Sequence, residues 1–277
     1  MPFMGTFKAG MKNLLSLIIL LSANICNCQT NTYLPGFDFV LFKDTPLFAL
    51  AEAVEAQDTA KMADLVHEGK LDINYSSPKF GTHLLSMALV NKKNNSAIKL
   101  LSLGADPNAK PPNDIMTPFF WACHYIRYLD SASLMLTLLI KYGANINEEL
   151  PEKLETPDGK IYDYTASPLQ LLCEYGALDC IKILINHGAD LSKYPVNGTK
   201  SIIYIALNNL NPDVLAYFLI EKKVPVPDYC MISYEGTPRE RKMTITALLN
   251  ERPKAWKQYY RETIGQILDF LKKIAKS

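Results

Sequence analysis

The sequence predicts an all-α fold, a solenoid of repeated helix-turn-helix units, from three observations. Nearly the same five residues recur, as Gly-Ala-Asp-Pro-Asn at 104–108, Gly-Ala-Asn-Ile-Asn at 143–147 and Gly-Ala-Asp-Leu-Ser at 188–192. Each recurrence follows an apolar run with helical spacing. A spacing of 21 residues separates the opening of a unit from its closing residue in several segments. Self-similarity with a period of about 20 to 50 residues is the sequence signature of a solenoid.

The unit that closes at Gly188 shows how single residues specify its elements. Pro168 suits the first turn of a helix, because proline lacks an amide hydrogen that this turn would leave unpaired. Gly176 suits the break between two helices, and Gly188 can take the positive φ of a helix C-cap. Each unit is therefore predicted to hold two short helices joined by a tight turn.

The spacing from Ser167 to Gly188 recurs elsewhere in the chain. Three other segments keep it: Phe48 to Gly69, His83 to Gly104 and Ser201 to Lys222, each with Ala as its sixth residue (Ala53, Ala88 and Ala206). A further unit opens at Thr117 but closes 26 residues later at Gly143, which predicts five extra residues in the turn at 124–133. Lys222 stands where Gly is expected, at a cost of about 1 kcal/mol if the left-handed conformation is kept there. The alternative is that the fifth repeat ends differently from the others.

The openings Thr117-Pro118-Phe119-Phe120 and Ser167-Pro168-Leu169-Gln170 resemble the Thr-Pro-Leu-His signature of the ankyrin repeat. The resemblance covers about five repeats, at about 44–77, 78–110, 111–150, 151–195 and 196–228. It implies a solenoid in which β-hairpin fingers join successive repeats. Residues 29–43 are predicted to cap the first repeat, and residues 229–277 to form an irregular loop and a helical C-terminal cap with helices at 244–249 and 255–274.

Residues 1–28 are predicted to be a signal peptide. Lys8 and Lys12 precede an apolar run at 14–21, which is too short to span a bilayer and has the length of a signal-peptide core. Cleavage before Gln29 would give an exported protein, periplasmic or extracellular. The alternatives are lipidation at Cys26 or Cys28 and an uncleaved anchor, and translation could start at Met1 or at Met11.

The distribution of charge argues against a nucleic-acid partner. Residues 29–238 contain 17 Lys or Arg and 24 Asp or Glu, whereas residues 239–277 contain 10 and 4. A nucleic-acid-binding protein would carry a basic stripe along its reading surface, which this acidic repeat region lacks. The acidic balance favours a protein partner with a basic surface instead.

Four cysteines follow the predicted signal peptide: Cys123, Cys173, Cys180 and Cys230. Cys123 and Cys173 occupy the same slot in two repeats, where the family has a small buried residue, and are predicted to be buried thiols. Since export would permit disulfides, a Cys173–Cys180 bridge within one helical hairpin is the pairing to test.

The sequence contains no motif for catalysis, for a metal or for a cofactor. Gly-x-Ser-x-Gly, Gly-x-x-x-x-Gly-Lys, His-Glu-x-x-His and Cys-x-x-Cys are all missing. The chain is therefore predicted to be non-enzymatic. The enzymatic alternative would need a site assembled from His124 and the loop at 229–243.

Partner-binding residues are predicted from the positions that ankyrin proteins use. In that family the exposed ends of the first helices and the fingers line one concave surface, and the resemblance implies that the central repeats bind a partner there. The first helices and the turn after the third of them supply His124, Tyr125, Tyr128, Glu174, Tyr175 and Asn208. The connection from Asn147 to Ala166 is long for the family and holds the turn signal Pro157-Asp158-Gly159, so it is predicted to be an extended hairpin. That finger supplies Glu155, Asp158, Tyr162 and Tyr164, and its other acidic residues include Glu148 and Glu149. Acidic groups among tyrosines suit a basic protein surface, whereas a solvated charged loop is the alternative.

The chain is similar to exported bacterial ankyrin-repeat proteins. That resemblance implies a non-catalytic protein-protein interaction module, and by analogy alone an immunity or accessory protein of a neighbouring toxin or enzyme. The alternative function is a lipid-anchored structural scaffold of the cell envelope.

Overall fold

The computed structural model describes residues 36–110, 116–129, 131–150, 153–155, 161–163, 167–198, 200–209, 211–227 and 260–274, all within one compact unit. The predicted signal peptide, both candidate lipidation sites (Cys26 and Cys28) and the predicted helix at 244–249 lie outside these residues. Among the helices of the described part, none has the length and apolar character needed to cross a membrane.

The chain folds into successive pairs of short helices. The pairs are α1 (Phe48–Ala56) with α2 (Thr59–Gly69), α3 (Leu84–Val90) with α4 (Asn94–Ser102), α5 (Pro118–His124) with α6 (Ala132–Lys141), α7 (Pro168–Tyr175) with α8 (Leu178–Asn186), and α9 (Ile202–Asn208) with α10 (Pro212–Ala216). A π-helical turn at Tyr217–Glu221 follows α10, and α11 spans Arg261–Ile274. Single 3-10 turns occur at Phe39–Phe42, Ile126–Tyr128 and Leu191–Lys193. The described structure is therefore helical, as the sequence predicts.

The helices pack in two rows. The helices α1, α3, α5, α7 and α9 contact one another in succession and form the first-helix row, while α2, α4, α6 and α8 form the second-helix row. The two helices of each pair also contact each other. Fully buried core side chains include Leu50, Met87, Phe119, Leu172 and Leu184. Each pair thus buries its apolar side chains against neighbouring pairs, which is how a repeat architecture builds a continuous core.

Polar side chains cap the starts of three first helices, α5, α7 and α9. The Thr117 hydroxyl oxygen accepts the backbone amide of Phe120, and Pro118 occupies the first turn of α5. Ser167 accepts the amide of Gln170 while the Gln170 side chain accepts the amide of Ser167, which completes a capping box at α7. These caps satisfy amide groups that the first helical turn leaves without a partner, so the repeat openings act as helix start signals.

Hydrogen bonds between successive fingers, the segments that follow each second helix, explain the recurring Gly-Ala-Asp-x-Asn sequence. The Asp106 carboxylate accepts the amide of Asn108 at 2.8 Å, which folds the finger back on itself. Asn108 then reaches the next finger: its Oδ1 accepts the amide of Asn145 at 2.7 Å, and its Nδ2 donates to the Gly143 carbonyl at 2.8 Å. One side chain therefore fixes two backbone groups of the neighbouring repeat.

Within the residues that the structure describes, the same ladder continues one finger further and ends there. Asn147 accepts the amide of Asp190 at 2.9 Å and donates to the carbonyl of Gly188 at 3.2 Å. Ser192 occupies the next slot, and its hydroxyl donates back to the Asp190 carboxylate. The substitution of Ser for Asn at this slot thus coincides with the end of the ladder.

Two predicted repeat ends are wrong by one residue. Gly69 is the last residue of α2, and Lys70 takes the left-handed conformation with a φ of 47°. Lys222 is right-handed with a φ of −88°, and Lys223 is left-handed with a φ of 52°. In the fifth pair the π-helical turn at Tyr217–Glu221 accommodates an extra residue. Position 222 therefore does not need a glycine, because the repeat ends one residue later, at Lys223.

The two long connections contain regular structure. The extra residues after α5 include the 3-10 turn Ile126–Tyr128, which contacts α7. In the connection from Asn147 to Ala166, β1 (Lys153–Glu155) and β2 (Ile161–Asp163) pair antiparallel, with Leu154 opposite Tyr162. The turn signal at 157–159 lies outside the described residues.

Both ends of the helix array are covered. The 3-10 turn Phe39–Phe42 packs on α1 through the buried rings of Phe39 and Phe42. At the other end α11 packs on α10 and buries Ile264, Ile267 and Leu271. Of the helix predicted at 255–274, residues from Arg261 onward are helical, and 255–259 lie outside the described part.

Candidate functional site

Five rings from three parts of the chain meet at the C-terminal end of α5, and we call them the aromatic cluster: Phe37, Trp121, His124, Tyr125 and Tyr175. The rings of Trp121 and Tyr125 are stacked with centroids 5.6 Å apart, because residues four positions apart share one helix face. His124 is edge-on to both rings, at 5.8 Å from Trp121 and 5.2 Å from Tyr125. A single helix end therefore orients three rings.

Tyr175, the last residue of α7, joins the cluster from the next pair. Its hydroxyl oxygen lies 3.3 Å from Nδ1 of His124, in a hydrogen bond whose donor depends on the histidine tautomer. The guanidinium carbon of Arg127 lies 4.5 Å from the Tyr175 ring centroid, a cation–π contact. Arg127 belongs to the 3-10 turn after α5. The predicted insertion thus places a cation over a ring of the neighbouring helix pair.

The environment of His124 affects its charge. Burial lowers the pKa of His124 below its ordinary value of 6.5, and the Glu174 carboxylate opposes that shift more weakly. The imidazole is therefore neutral at neutral pH and has one donor and one acceptor nitrogen. A neutral half-buried imidazole suits hydrogen bonding to a ligand.

The N-terminal segment completes the cluster. The Phe37 ring is edge-on to Trp121 at 4.9 Å and to Tyr125 at 5.9 Å. The sequence predicts a cap at 29–43 and does not single out Phe37, Trp121 or Arg127 as site residues. Phe37 is an apolar residue before the first repeat, and nothing in the sequence indicates that it contacts the third helix pair and not the first.

The structure brings together part of the predicted partner-binding set. His124, Tyr125 and Tyr175 are in mutual contact or one ring apart, and Glu174 is exposed beside them. Asn208 is exposed at the end of α9, which packs on α7. Glu155 and Tyr162 lie on the paired strands β1 and β2, and Tyr128 lies in the 3-10 turn after α5, but the positions of these three side chains are outside the described part. Asp158 and Tyr164 fall outside the described residues altogether.

Glu148 is not a surface residue of the finger, and its inclusion among the acidic groups available to a partner is wrong. Its side chain is 5% exposed and accepts a 2.6 Å hydrogen bond from the Thr117 hydroxyl. Burial raises its pKa, against the Thr117 hydrogen bond and the Lys110 ammonium 4.0 Å from its Oε1, which lower it. Glu149 is exposed instead and pairs with Lys193 at 3.1 Å. Glu148 therefore joins a finger to a helix start.

The described cysteines are buried thiols. Cys123, Cys173 and Cys180 are all buried and free of disulfides, so the Cys173–Cys180 bridge is not formed. Burial raises the pKa of each thiol, most clearly for Cys123 and Cys173. Cys230 lies outside the described residues. These three side chains pack as small apolar groups, as the sequence predicts.

Within the described residues, no cluster of three or more His, Cys, Asp or Glu side chains has the arrangement of a metal site. The aromatic cluster itself contains one imidazole and no carboxylate. Its geometry favours contact with apolar and hydrogen-bonding groups of a ligand.

Comparison with known families matches residues 166–194 to the model of the ankyrin repeat. The match spans α7, α8 and the finger at 188–192, the unit with the capping box. No curated protein matches the chain. An ankyrin repeat is therefore present in the chain. This match supports a relationship to the ankyrin-repeat family, whose repeats are typically non-catalytic modules for protein-protein interaction.

Proposed function

We propose that the chain is a non-catalytic interaction protein, built as an ankyrin solenoid of about five repeats with β-hairpin fingers, that binds a partner protein through the aromatic cluster. The observation that carries this proposal is the convergence of Tyr125, His124 and Tyr175 at the ends of two adjacent first helices. Half-buried aromatic rings with polar edges give binding energy at a low cost in side-chain entropy.

The hairpin at β1 and β2 and the neighbouring exposed acids would extend this surface. Glu174 adjoins the cluster, and Glu149 lies at the base of the finger that continues into β1. The excess of acidic residues at 29–238 supports a partner with a basic surface, since complementary charge speeds association and selects partners. An immunity or accessory role for a neighbouring toxin or enzyme is one form of this function.

Export belongs to the proposal as well. The apolar run at 14–21 after Lys8 and Lys12 supports a signal peptide and a periplasmic or extracellular location. Cys26 and Cys28 lie five and seven residues after that run and are the basis for a second candidate, a lipid-anchored scaffold of the envelope. Mass spectrometry of the mature N-terminus separates the two, because a free Gln29 excludes the lipid anchor.

The interaction is tested by capture. The mature chain is immobilised and exposed to envelope proteins of its own cell, and retained proteins are identified by mass spectrometry. We expect one retained partner, whose binding falls at least about tenfold in the double variant His124→Ala and Tyr175→Ala, because interface aromatic residues carry about 2 kcal/mol each.

The matched control is Tyr142→Ala. Tyr142 is 39% exposed and lies directly after α6 in the second-helix row, away from the α5 and α7 ends. This change should leave capture unaltered. Undiminished capture by the double variant, with an unchanged circular dichroism spectrum, would remove the aromatic cluster from the binding surface.

A further inference from the structure

The N-terminal segment reaches further along the molecule than a cap requires. Phe39 and Phe42 cover α1, the first helix of the first pair. The ring of Phe37 instead lies on Trp121 and Tyr125 of the third pair and is 3% exposed. Covering the first pair does not need this contact, because the edge of that pair is already closed by the two other rings.

The backbone of Phe37 is held by a different element from its ring. Asn91, the C-cap residue of α3, donates its Nδ2 to the Phe37 carbonyl at 2.7 Å. Phe37 belongs to neither a helix nor a strand. Asp38, the next residue, has extended backbone with φ of −84° and ψ of 127°. Phe37 is therefore bound like a residue of a peptide segment outside regular structure, with its ring against α5 and its carbonyl on the end of α3. Both contacts are non-covalent and could equally be made by a residue of another chain.

Asn91 and Tyr125 are equivalent positions in consecutive repeats, since each lies eight residues after the opening of its unit, at His83 and Thr117. Tyr175 holds the same position in the next repeat, eight residues after Ser167. Phe37 therefore contacts the side chains at two of these equivalent positions, Asn91 and Tyr125. The third, Tyr175, lies beyond His124, and the proposed function depends on it and on Tyr125.

We propose that the surface formed by Asn91, Trp121 and Tyr125 is a receptor site for an extended peptide segment with an aromatic side chain, which Phe37 occupies until a partner displaces it. This inference rests on the proposed function and names the chemistry of the partner. The partner ring replaces the Phe37 ring on Trp121 and Tyr125, and a partner carbonyl takes the Asn91 amide. Because Phe37 competes for the site, the measured association constant is the intrinsic constant multiplied by the fraction of molecules from whose site Phe37 has dissociated.

The test uses the full chain and a synthetic peptide, N-acetyl-Leu-Pro-Gly-Phe-Asp-amide, which copies residues 34–38. A second peptide has Ala in place of Phe. Binding is measured by isothermal titration calorimetry. The variant Phe37→Ala empties the ring position, and we expect it to bind the Phe peptide at least about tenfold more tightly than the unchanged chain does. It should not bind the Ala peptide, and adding Trp121→Ala should abolish binding.

Val40→Ala is the matched control, since Val40 lies in the same segment and is 52% exposed. This variant should bind the Phe peptide as weakly as the unchanged chain. Equal affinity of the unchanged chain and the Phe37→Ala variant, or no binding by a folded Phe37→Ala variant, overturns the proposal. So does a dimer of the unchanged chain that disappears in Phe37→Ala, because the occupant would then be a second copy.

If Phe37→Ala does not fold, the unchanged chain supplies the test, because it keeps both the Asn91 amide and the Phe37 ring in place. Faster hydrogen exchange at residues 36–38 on addition of the Phe peptide is then expected, and unaltered exchange contradicts displacement. Peptide binding together with failed capture from the envelope would refute the proposed function alone, whereas capture without peptide binding would refute this inference alone.

Discussion

The hydroxyl of Thr117 donates a 2.6 Å hydrogen bond to the carboxylate of Glu148, and both side chains are buried. Thr117 is the N-cap of α5, and Glu148 lies in the finger that follows α6. The same hydroxyl oxygen accepts the amide of Phe120. One hydroxyl therefore links a helix start to the finger of the same repeat, through an acceptor oxygen of a buried acid.

That acid makes stability depend on pH. Burial raises the pKa of Glu148 above its ordinary value of 4.5, so the folded state binds the proton more tightly than the unfolded state. The free energy of unfolding therefore falls as the pH rises from about 4.5 through the raised pKa. We expect Glu148→Gln, which keeps an acceptor oxygen but cannot ionise, to lose this fall. Urea unfolding followed by circular dichroism between pH 4 and 8 measures it.

The control for this experiment is Glu149→Gln, because Glu149 is an exposed neighbour in the same finger. It should follow the pH dependence of the unchanged protein. Parallel stability curves for Glu148→Gln and the unchanged protein would show that the buried carboxyl does not titrate in this range.

Left-handed lysines destabilise both terminal helix pairs. Lys70 and Lys223 have φ values of 47° and 52°, which cost a residue with a Cβ about 1 kcal/mol relative to glycine. We expect Lys70→Gly and Lys223→Gly each to raise the free energy of unfolding by about 0.5 to 1 kcal/mol. Lys222→Gly is the neighbouring control and should destabilise, because Lys222 is right-handed. Stabilisation by Lys222→Gly but not by Lys223→Gly would show that the repeat ends at Lys222, as the sequence predicts.

Gly176 has two separate reasons to lack a side chain. Its φ is 69°, and a Cβ there would lie 2.8 Å from the Asn211 side-chain carbon Cγ. Asn211 cannot easily move, since its Nδ2 donates to the carbonyls of Cys173 and Glu174 at the end of α7. We expect Gly176→Ala to cost about 2 to 4 kcal/mol, the sum of backbone strain and overpacking.

Gly188→Ala separates these two contributions. Gly188 has a φ of 93°, and a Cβ there would meet no atom within 4 Å. Its substitution should cost only about 1 kcal/mol, from the backbone conformation. Equal losses for both variants in chemical unfolding would mean that Asn211 moves aside without cost.

Local signals account for what the sequence predicts well. The starts of α5 and α7 follow from polar residues next to a proline, and a helix start is determined within about four residues. Repeat ends are predicted less well where the left-handed residue is a lysine, because a positive φ at Lys70 or Lys223 has no local sequence signal.

The residues of the candidate site also differ in how well the sequence predicts them. His124, Tyr125 and Tyr175 could be predicted because their positions follow from the repeat register. The contact of Phe37 with Trp121 and the burial of Glu148 against Thr117 join distant parts of the chain. No periodic pattern in the sequence indicates which exposed position a distant side chain will cover.

Asparagine side chains join successive fingers of the repeats. Asn108 accepts the amide of Asn145 and donates to the carbonyl of Gly143, so Asn108→Ala removes two hydrogen bonds between repeats. At about 1 kcal/mol for each bond, we expect a loss of about 2 kcal/mol in the free energy of unfolding. Ser192 occupies the same slot in a later finger but bonds only to Asp190, within its own finger, in the described part of the chain. Ser192→Ala should therefore cost well under half as much in urea unfolding, and equal losses would show that the ladder does not join the repeats.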